Sequence, residues 1–306
     1  MLCAAIDIGS NTTRVLVAEP RQGQLRMVME QRAYTRVGKA DREEGRLVAV
    51  KIDEIAEVVA TQVRLAEELG AEAMRIVATA AIRASLNGPE VVAKISERSG
   101  RSAEILSEHD EGRLAFIGAT KSLGHPADGE VAVVDIGGGS SEVIFGTLDG
   151  GVREVRSFPV GSGSLADDHI SADPPSAAEL RSIRDWLGDY FAEVELPRPT
   201  QAVAVGGSAT SLRRLVGAVL EYETLERGIR VLASEPSAEV AKRFELDPQR
   251  VRILPSGVLL LERFADLLGC PLQVGKGGLR EGIILDMLHT AGGDDLEPAA
   301  AASGAG

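Results

Sequence analysis

The sequence is poor in the residues that build several common functional surfaces. It holds two cysteines, one tryptophan and three tyrosines in 306 residues, with 33 basic against 46 acidic side chains. Cys3 and Cys270 stand far apart in apolar surroundings, with no C-x-x-C and no Cys/His pairing. That pattern predicts two buried thiols in a reducing cytoplasm, not a disulfide or a zinc site. The scarcity of Trp and Tyr excludes base-stacking platforms, and a net charge of −13 argues against a broad nucleic-acid or anionic-membrane surface. It leaves room for a small, locally positive phosphate pocket. No apolar run approaches the roughly 20 residues of a membrane span. Met1–Ile6 lacks a basic start, and Asp7 interrupts it before a signal-peptide core could form. His109, His125, His169 and His289 show no metal-ligand spacing.

What the sequence does have is a carboxylate-plus-glycine turn, Asp135-Ile136-Gly137-Gly138-Gly139-Ser140-Ser141-Glu142, between the apolar runs Val131–Val134 and Val143–Phe145. Three glycines let backbone N–H groups approach an anion closely, as in phosphate cradles, although a plain glycine-rich hairpin fits this segment equally well. The N-terminus repeats the pattern. Asp7-Ile8-Gly9 superposes on Asp135-Ile136-Gly137, and Val15 on Val143, at a constant offset of 128 residues. An internal repeat predicts two halves sharing one supersecondary unit. Both turns lead back into strands. A dinucleotide fingerprint or a P-loop would lead into a helix, and a P-loop also needs Gly-Lys-Ser/Thr, which Lys276-Gly277-Gly278 lacks.

Taken in order, the first half predicts strands at Cys3–Ile8 and Thr12–Ala18 and a third within 21–50, a segment carrying Arg32, Arg36, Lys39 and Arg42. Helical spacing marks Ile52–Leu69, and a strand at Met74–Ala78 runs into Thr79–Arg83. A helix follows from Asn87-Gly88-Pro89, then a strand at Glu104–Leu106 and a helix capped by Ser107 and running to about Ser122. Gly124-His125-Pro126 marks the domain boundary. The second half predicts strands near 131–135, 142–147 and 152–158, a loop Gly161-Ser162-Gly163-Ser164, and an amphipathic helix 176–193 with Trp186 in the core. A strand Ala202–Val205, a helix after Pro255 reaching Leu268, and a last helix from Gly278 to near His289 complete it. The expected domains are 1–124 and 125–290, with 291–306 an Ala/Gly/Asp-rich disordered tail.

Two further features carry chemistry. Glu111 lies three residues before Leu114, four before Ala115 and seven before Gly118, so it shares the apolar stripe of its helix. A carboxylate on a core-facing stripe needs a partner or a task. Gly206-Gly207-Ser208-Ala209-Thr210 takes a strand into a helix, an arrangement that suits an anion or equally ordinary strand–helix packing.

These motifs together resemble the exopolyphosphatase/guanosine pentaphosphate phosphohydrolase (Ppx/GppA) family. The resemblance rests on Ile6–Thr12, Ala78–Arg83, Ile105–Ser107 with Asp110–Leu114, Asp135–Glu142, Val205–Thr210 and Gly278–Gly282, in the family's order along the chain. It implies an α/β fold of two RNase H-like domains, the actin-like ATPase architecture, with phosphate bound in the interdomain cleft. Carried across residue by residue, it implies Glu111 as the base activating water, and Asp7, Asp135 and Glu142 organising Mg²⁺, partly through water. It implies phosphate cradling by Ser10, Asn11, Thr12, Gly137, Gly138, Gly139, Ser140, Gly207 and Ser208, and an arginine contact from Arg83. The chain departs from the family's Ser-Gly-x-Glu-Glu-Ala-Arg-Leu at Ser107-Glu108-His109-Asp110-Glu111-Gly112-Arg113-Leu114 and matches Arg-Leu-Gly only as Arg36-Val37-Gly38. It resembles the short, two-domain form.

The implied activity is Mg²⁺-dependent release of terminal phosphate from short-chain polyphosphate, with guanosine pentaphosphate as the alternative substrate. A sensor that binds guanosine tetraphosphate or polyphosphate without turnover is the non-enzymatic alternative, and an actin-fold kinase a less favoured one. No nucleic-acid or membrane partner is expected; a cytoplasmic homodimer is.

Overall fold

The structure, a computed structural model, describes residues 1–39, 42–121, 123 and 128–292. The expected boundary at Gly124-His125-Pro126 and residues 293–306 of the expected tail lie outside the described residues.

The first half runs β1 (Cys3–Ile8), β2 (Thr13–Arg21), β3 (Gln24–Ala33), a short hairpin β4 (Arg42–Glu43) and β5 (Arg46–Leu47), then α1 (Ala49–Glu68). It continues through β6 (Ala73–Ala78), α2 (Ala80–Arg83), α3 (Gly88–Ser99), β7 (Ala103–Ile105) and α4 (Glu108–Lys121). All six residues of β1 are buried, as a strand covered on both faces requires. The sheet order is β3-β2-β1-β6-β7, with β1 antiparallel to β2 and parallel to β6.

The second half repeats this plan with β8 (Val131–Ile136), β9 (Ser141–Thr147), β10 (Gly151–Phe158), α5 (Ser162–His169), α6 (Ala177–Tyr190), β11 (Gln201–Val205) and α7 (Gly206–Val216). After β12 (Val219–Leu220) come α8 (Tyr222–Leu232), α9 (Ser237–Phe244), α10 (Pro248–Leu268), β13 (Leu272–Val274) and α11 (Leu279–Thr290). Its sheet order is β10-β9-β8-β11-β13-β12. The same unit, an antiparallel three-strand meander extended by parallel strands, therefore occurs twice, as the 128-residue offset predicts.

The core comes in four apolar layers. The outer face of the first sheet packs on α1 and α3 through Ile6, Ile8, Ile55, Val59, Val91 and Ile95. Its inner face packs on α11 through Ala5, Leu16, Ile283 and Ile284. The inner face of the second sheet takes Ala115, Phe116 and Ala119 of α4, and its outer face packs on α6, α7, α8 and α10. The helices α4 and α11 are thus a pair between the two sheets. They touch so closely that a Cβ on Gly118 would lie 1.9 Å from the Gly278 carbonyl oxygen, and one on Gly282 1.8 Å from that of Leu114.

Four expectations are corrected. Gly161–Ser164 is not a loop: α5 starts at Ser162, because its first N–H groups find acceptors in the second glycine turn, Ser162 on the Gly137 carbonyl and Gly163 and Ser164 on that of Gly138. Pro255 does not precede a helix but sits inside α10, which Asp247 caps through the N–H groups of Gln249 and Arg250. Proline forfeits one helical hydrogen bond there, and the packing of Leu254, Val258, Leu261 and Phe264 in the core outweighs it. Trp186 is 36% exposed, stacked on Tyr190 at the rim of the stripe Leu180–Ile183–Leu187 that α6 buries. Cys3 is buried as expected, whereas Cys270 is only half-buried.

Candidate functional site

The two glycine turns are built alike. Gly9 N–H donates to the Thr12 carbonyl at 3.0 Å, and Gly137 N–H donates to that of Ser140 at 2.9 Å, the equivalent bond 128 residues on. Backbone N–H groups from downstream hold the carbonyls of both turns. Arg36 and Gly38 donate to Asn11 and Ser10 in the first, and α5 donates to Gly137 and Gly138 in the second. The turns also meet each other: a Cβ on Gly138 would lie 2.9 Å from Asn11 Cβ, and one on Gly139 2.9 Å from Ser10 Oγ. A third N–H-rich element closes the floor. The helix α7 leaves β11 with no side-chain cap, and Gly206 (φ +84°) lies so near Asp135 that a Cβ would sit 2.5 Å from its Oδ1. Only glycine suits that position, by conformation and by space.

These elements line a cleft of about 460 Å³. It brings together Asp7, Ser10, Asn11, Thr12, Glu111, Asp135, Gly137, Gly138, Ser140, Glu142 and Gly207 of the residues singled out from sequence. Three others lie outside its lining. Gly139 packs behind on Ser10, Ser208 is fully buried against Gly257, and Arg83 is engaged with Glu111.

Four carboxylates, Asp7, Glu111, Asp135 and Glu142, cluster in the cleft. Asp7 and Glu142 are buried, and Glu111 reaches in from the first turn of α4, whose start is fixed by Ser107 accepting from Asp110 N–H. Burial, with Asp7 and Asp135 nearby, pushes Glu111 up to about 7 against the pull of Arg83. Burial likewise raises Asp135 to about 6 against the pull of Arg14, with Asp7 adding a smaller repulsion. Glu142 is raised well above its usual range by burial, then by Glu111 and Asp135.

The cleft also carries basic side chains, most of which sequence reasoning missed. Arg14, Arg214 and Arg250 line the cleft with Arg32, Lys276 and Arg280. Arg14 donates to Asp7 Oδ2 at 3.2 Å, and although burial alone would lower it, Asp7, Asp135 and Glu30 hold it raised. Arg250 is 7% exposed with an unpartnered Nε; burial, then Arg14 and Arg32, lowers it to about 10. A lone arginine among the β-branched residues of β2 was a legible signal for Arg14. Arg250, in the first turn of a helix, reads as an ordinary solvated charge.

The donor set admits a metal only in part. Among the described residues, no three His, Cys, Asp or Glu side chains gather as a ligand shell, and Arg14 already engages Asp7. Hard oxygen donors at Asp135 and Glu142, with Asp7 shared with Arg14, fit a cation that keeps water and takes phosphate oxygens, the binding habit of Mg²⁺. No helix among the described residues is long and apolar enough to cross a membrane.

Comparison with known proteins agrees with this architecture. An exopolyphosphatase 1 of Mycobacterium tuberculosis (strain H37Rv) is 29% identical over 95% of this chain and 89% of its own length. That of Mycobacterium leprae is 26% identical over 95% and 90%. Among solved structures, the Ppx/GppA member of Aquifex aeolicus is 30% identical with a TM-score of 0.78, covering 95% of this chain and 98% of that one. An exopolyphosphatase from Cytophaga hutchinsonii, at 19% identity, shares the fold with a TM-score of 0.79 over 95% and 98% of the two chains. The sequence profile of the Ppx/GppA phosphatase family matches residues 16–291. With the two-domain actin-like ATPase fold, this chain belongs to the Ppx/GppA phosphatase family.

Proposed function

We propose that the cleft hydrolyses terminal phosphoanhydride bonds, and that its substrate is inorganic polyphosphate of short chain length. The observation that carries the reading is Glu111, a carboxylate held near neutrality in its proton affinity, on the same cleft as two N–H-rich glycine turns. A general base works best with a pKa near the operating pH. The names of the curated relatives, exopolyphosphatases matched over nine-tenths of both chains, support the substrate class.

In this mechanism the terminal phosphoryl group sits between the turns Gly9–Thr12 and Gly137–Ser140, and N–H groups within Ser10–Thr12 and Gly138–Ser140 meet its oxygens. The remainder of the chain lies toward Arg14, Arg32, Arg214, Arg250 and Lys276, which neutralise it. Glu111 accepts a proton from water as the water oxygen attacks phosphorus. The bond from phosphorus to the bridging oxygen breaks, and that oxygen leaves with the shortened chain. Mg²⁺, held at Asp7, Asp135 and Glu142 with water, would supply positive charge to the phosphoryl oxygens.

Phosphate release with Mg²⁺, measured side by side on short polyphosphate, long polyphosphate and guanosine pentaphosphate, tests this. Fastest turnover on short polyphosphate supports the reading. A preference for guanosine pentaphosphate reassigns the substrate, and tight binding without release makes the protein a sensor. Light scattering tests the homodimer that belongs to the same reading.

A further inference from the structure

Arg83 stands where the family resemblance implies a phosphate contact, yet it is absent from the cleft lining. Its guanidinium is spent elsewhere. Nη1 donates to the Leu106 carbonyl at 2.9 Å and to Glu111 Oε2 at 2.8 Å, while Nη2 lies 3.8 Å from Glu108 Oε1. These contacts tie the turn after β6, which carries Arg83 in α2, to the turn after β7, which starts α4. A charge-assisted bond of this length is short and directional. The Leu106 carbonyl fixes the arginine, and the arginine fixes one oxygen of the carboxylate. The other, Oε1, accepts no hydrogen bond among the described residues, and Glu111 lines the cleft.

We propose that Arg83 is a positioning residue for the general base: anchored on Leu106, it holds Glu111 by Oε2 and leaves Oε1 for the attacking water. The inference rests on the hydrolase reading above, and it gives Arg83 a task on the carboxylate instead of on phosphate. Glu111 has no other hydrogen-bonding side-chain partner among the described residues, and the carboxylates nearby, Asp7, Asp135 and Glu142, are anionic. An untethered carboxylate there would turn away from the water as readily as toward it. Misplacing a catalytic group by about 1 Å costs on the order of 100-fold in rate.

The test is a split between kcat and KM on a short polyphosphate of defined length, with inorganic phosphate as a product inhibitor. Arg83→Gln should lower kcat at least about 10-fold while KM and phosphate inhibition change less than about 2-fold, the signature of an interaction not used in ground-state binding. Arg83→Lys, which keeps the charge and one bond, should recover part of kcat. If Arg83→Gln fails to fold by circular dichroism, Arg83→Lys carries the test alone, with a smaller loss confined to kcat. Glu108→Ala, at the distant exposed contact, should stay within about 2-fold of the native rate. Arg83→Gln combined with Glu111→Gln should lose no more than Glu111→Gln alone, because residues acting as a unit are non-additive. A KM or a phosphate inhibition constant raised many-fold with kcat kept would restore the phosphate contact and overturn the proposal. Normal turnover by Glu111→Gln would instead overturn the hydrolytic reading on which it rests.

Discussion

Asp135 faces Glu142 across the second hairpin at the register position where Asp7 faces Arg14 across the first. The repeat is therefore symmetric in backbone and asymmetric in charge. One copy closes an ion pair at 3.2 Å; the other sets two carboxylates together, both with raised proton affinity. The first copy pairs its carboxylate within the hairpin, and the second does not. The glycine turn is built twice, but the two adjacent carboxylates occur in one half only.

Removing one member of the strained pair should stabilise the metal-free protein. Asp135→Asn eliminates a carboxylate raised to about 6, and at pH 8 without divalent cation it should raise stability by about 1–2 kcal/mol. The same variant should lose activity and shift its Mg²⁺ titration to higher concentration. Thermal unfolding and phosphate release on one preparation check both; an unchanged Mg²⁺ titration would remove Asp135 from the metal's neighbourhood.

The pH dependence of stability has a definite sign. Glu111 and Asp135 bind protons more tightly folded than unfolded, with folded values of about 7 and about 6. Each contributes stability that is complete below its unfolded value of roughly 4, and that is lost as pH rises through the folded one. Without metal, the melting temperature should fall from about pH 5 to about pH 7.5, and Mg²⁺ should reverse most of the fall at the upper end. Turnover should rise over the same range as Glu111 loses its proton. A flat metal-free profile would show that these carboxylates are not strained.

The fold was legible to the extent that pattern and physics coincide. The offset of 128 gave both hairpins and both turns because each copy repeats strand, Asp, glycine turn and strand. Glu111 was legible from its place on an apolar stripe. Other features depended on tertiary partners that a linear pattern does not show. Gly161–Ser164 looks like a loop until Gly137 and Gly138 offer their carbonyls to its N–H groups. Pro255 looks like a helix start until the core around α10 outweighs its lost bond. Arg250 looks solvated until the chain folds it beneath Gly207, where a Cβ would meet its guanidinium at 2.7 Å.

The crossing of α4 and α11 sets the position of Glu111 relative to the cleft. Gly118→Ala or Gly282→Ala drives a methyl group into backbone at less than 2 Å, which the neighbours can relieve only by parting the helices. Each should cost at least about 1–3 kcal/mol and lower activity, since α4 carries Glu111 and α11 begins within the segment 275–281 that lines the cleft. Chemical denaturation checks the stability; native stability in either variant would refute the close approach.

Arg250→Met should separate binding from stability. The arginine is almost fully buried, with its proton affinity lowered to about 10, so an apolar side chain of similar length should leave stability unchanged or raised. Substrate binding should weaken about 10-fold or more, and the salt dependence of KM should become shallower. An unchanged KM would take Arg250 out of the phosphate path.

The central claim is that Glu111 makes this phosphate-binding cleft a hydrolase. Glu111→Gln keeps shape and removes the base, so phosphate release should fall at least about 100-fold while calorimetric binding of short polyphosphate with Mg²⁺ changes by less than about 3-fold. Near-native turnover in that variant would contradict the account.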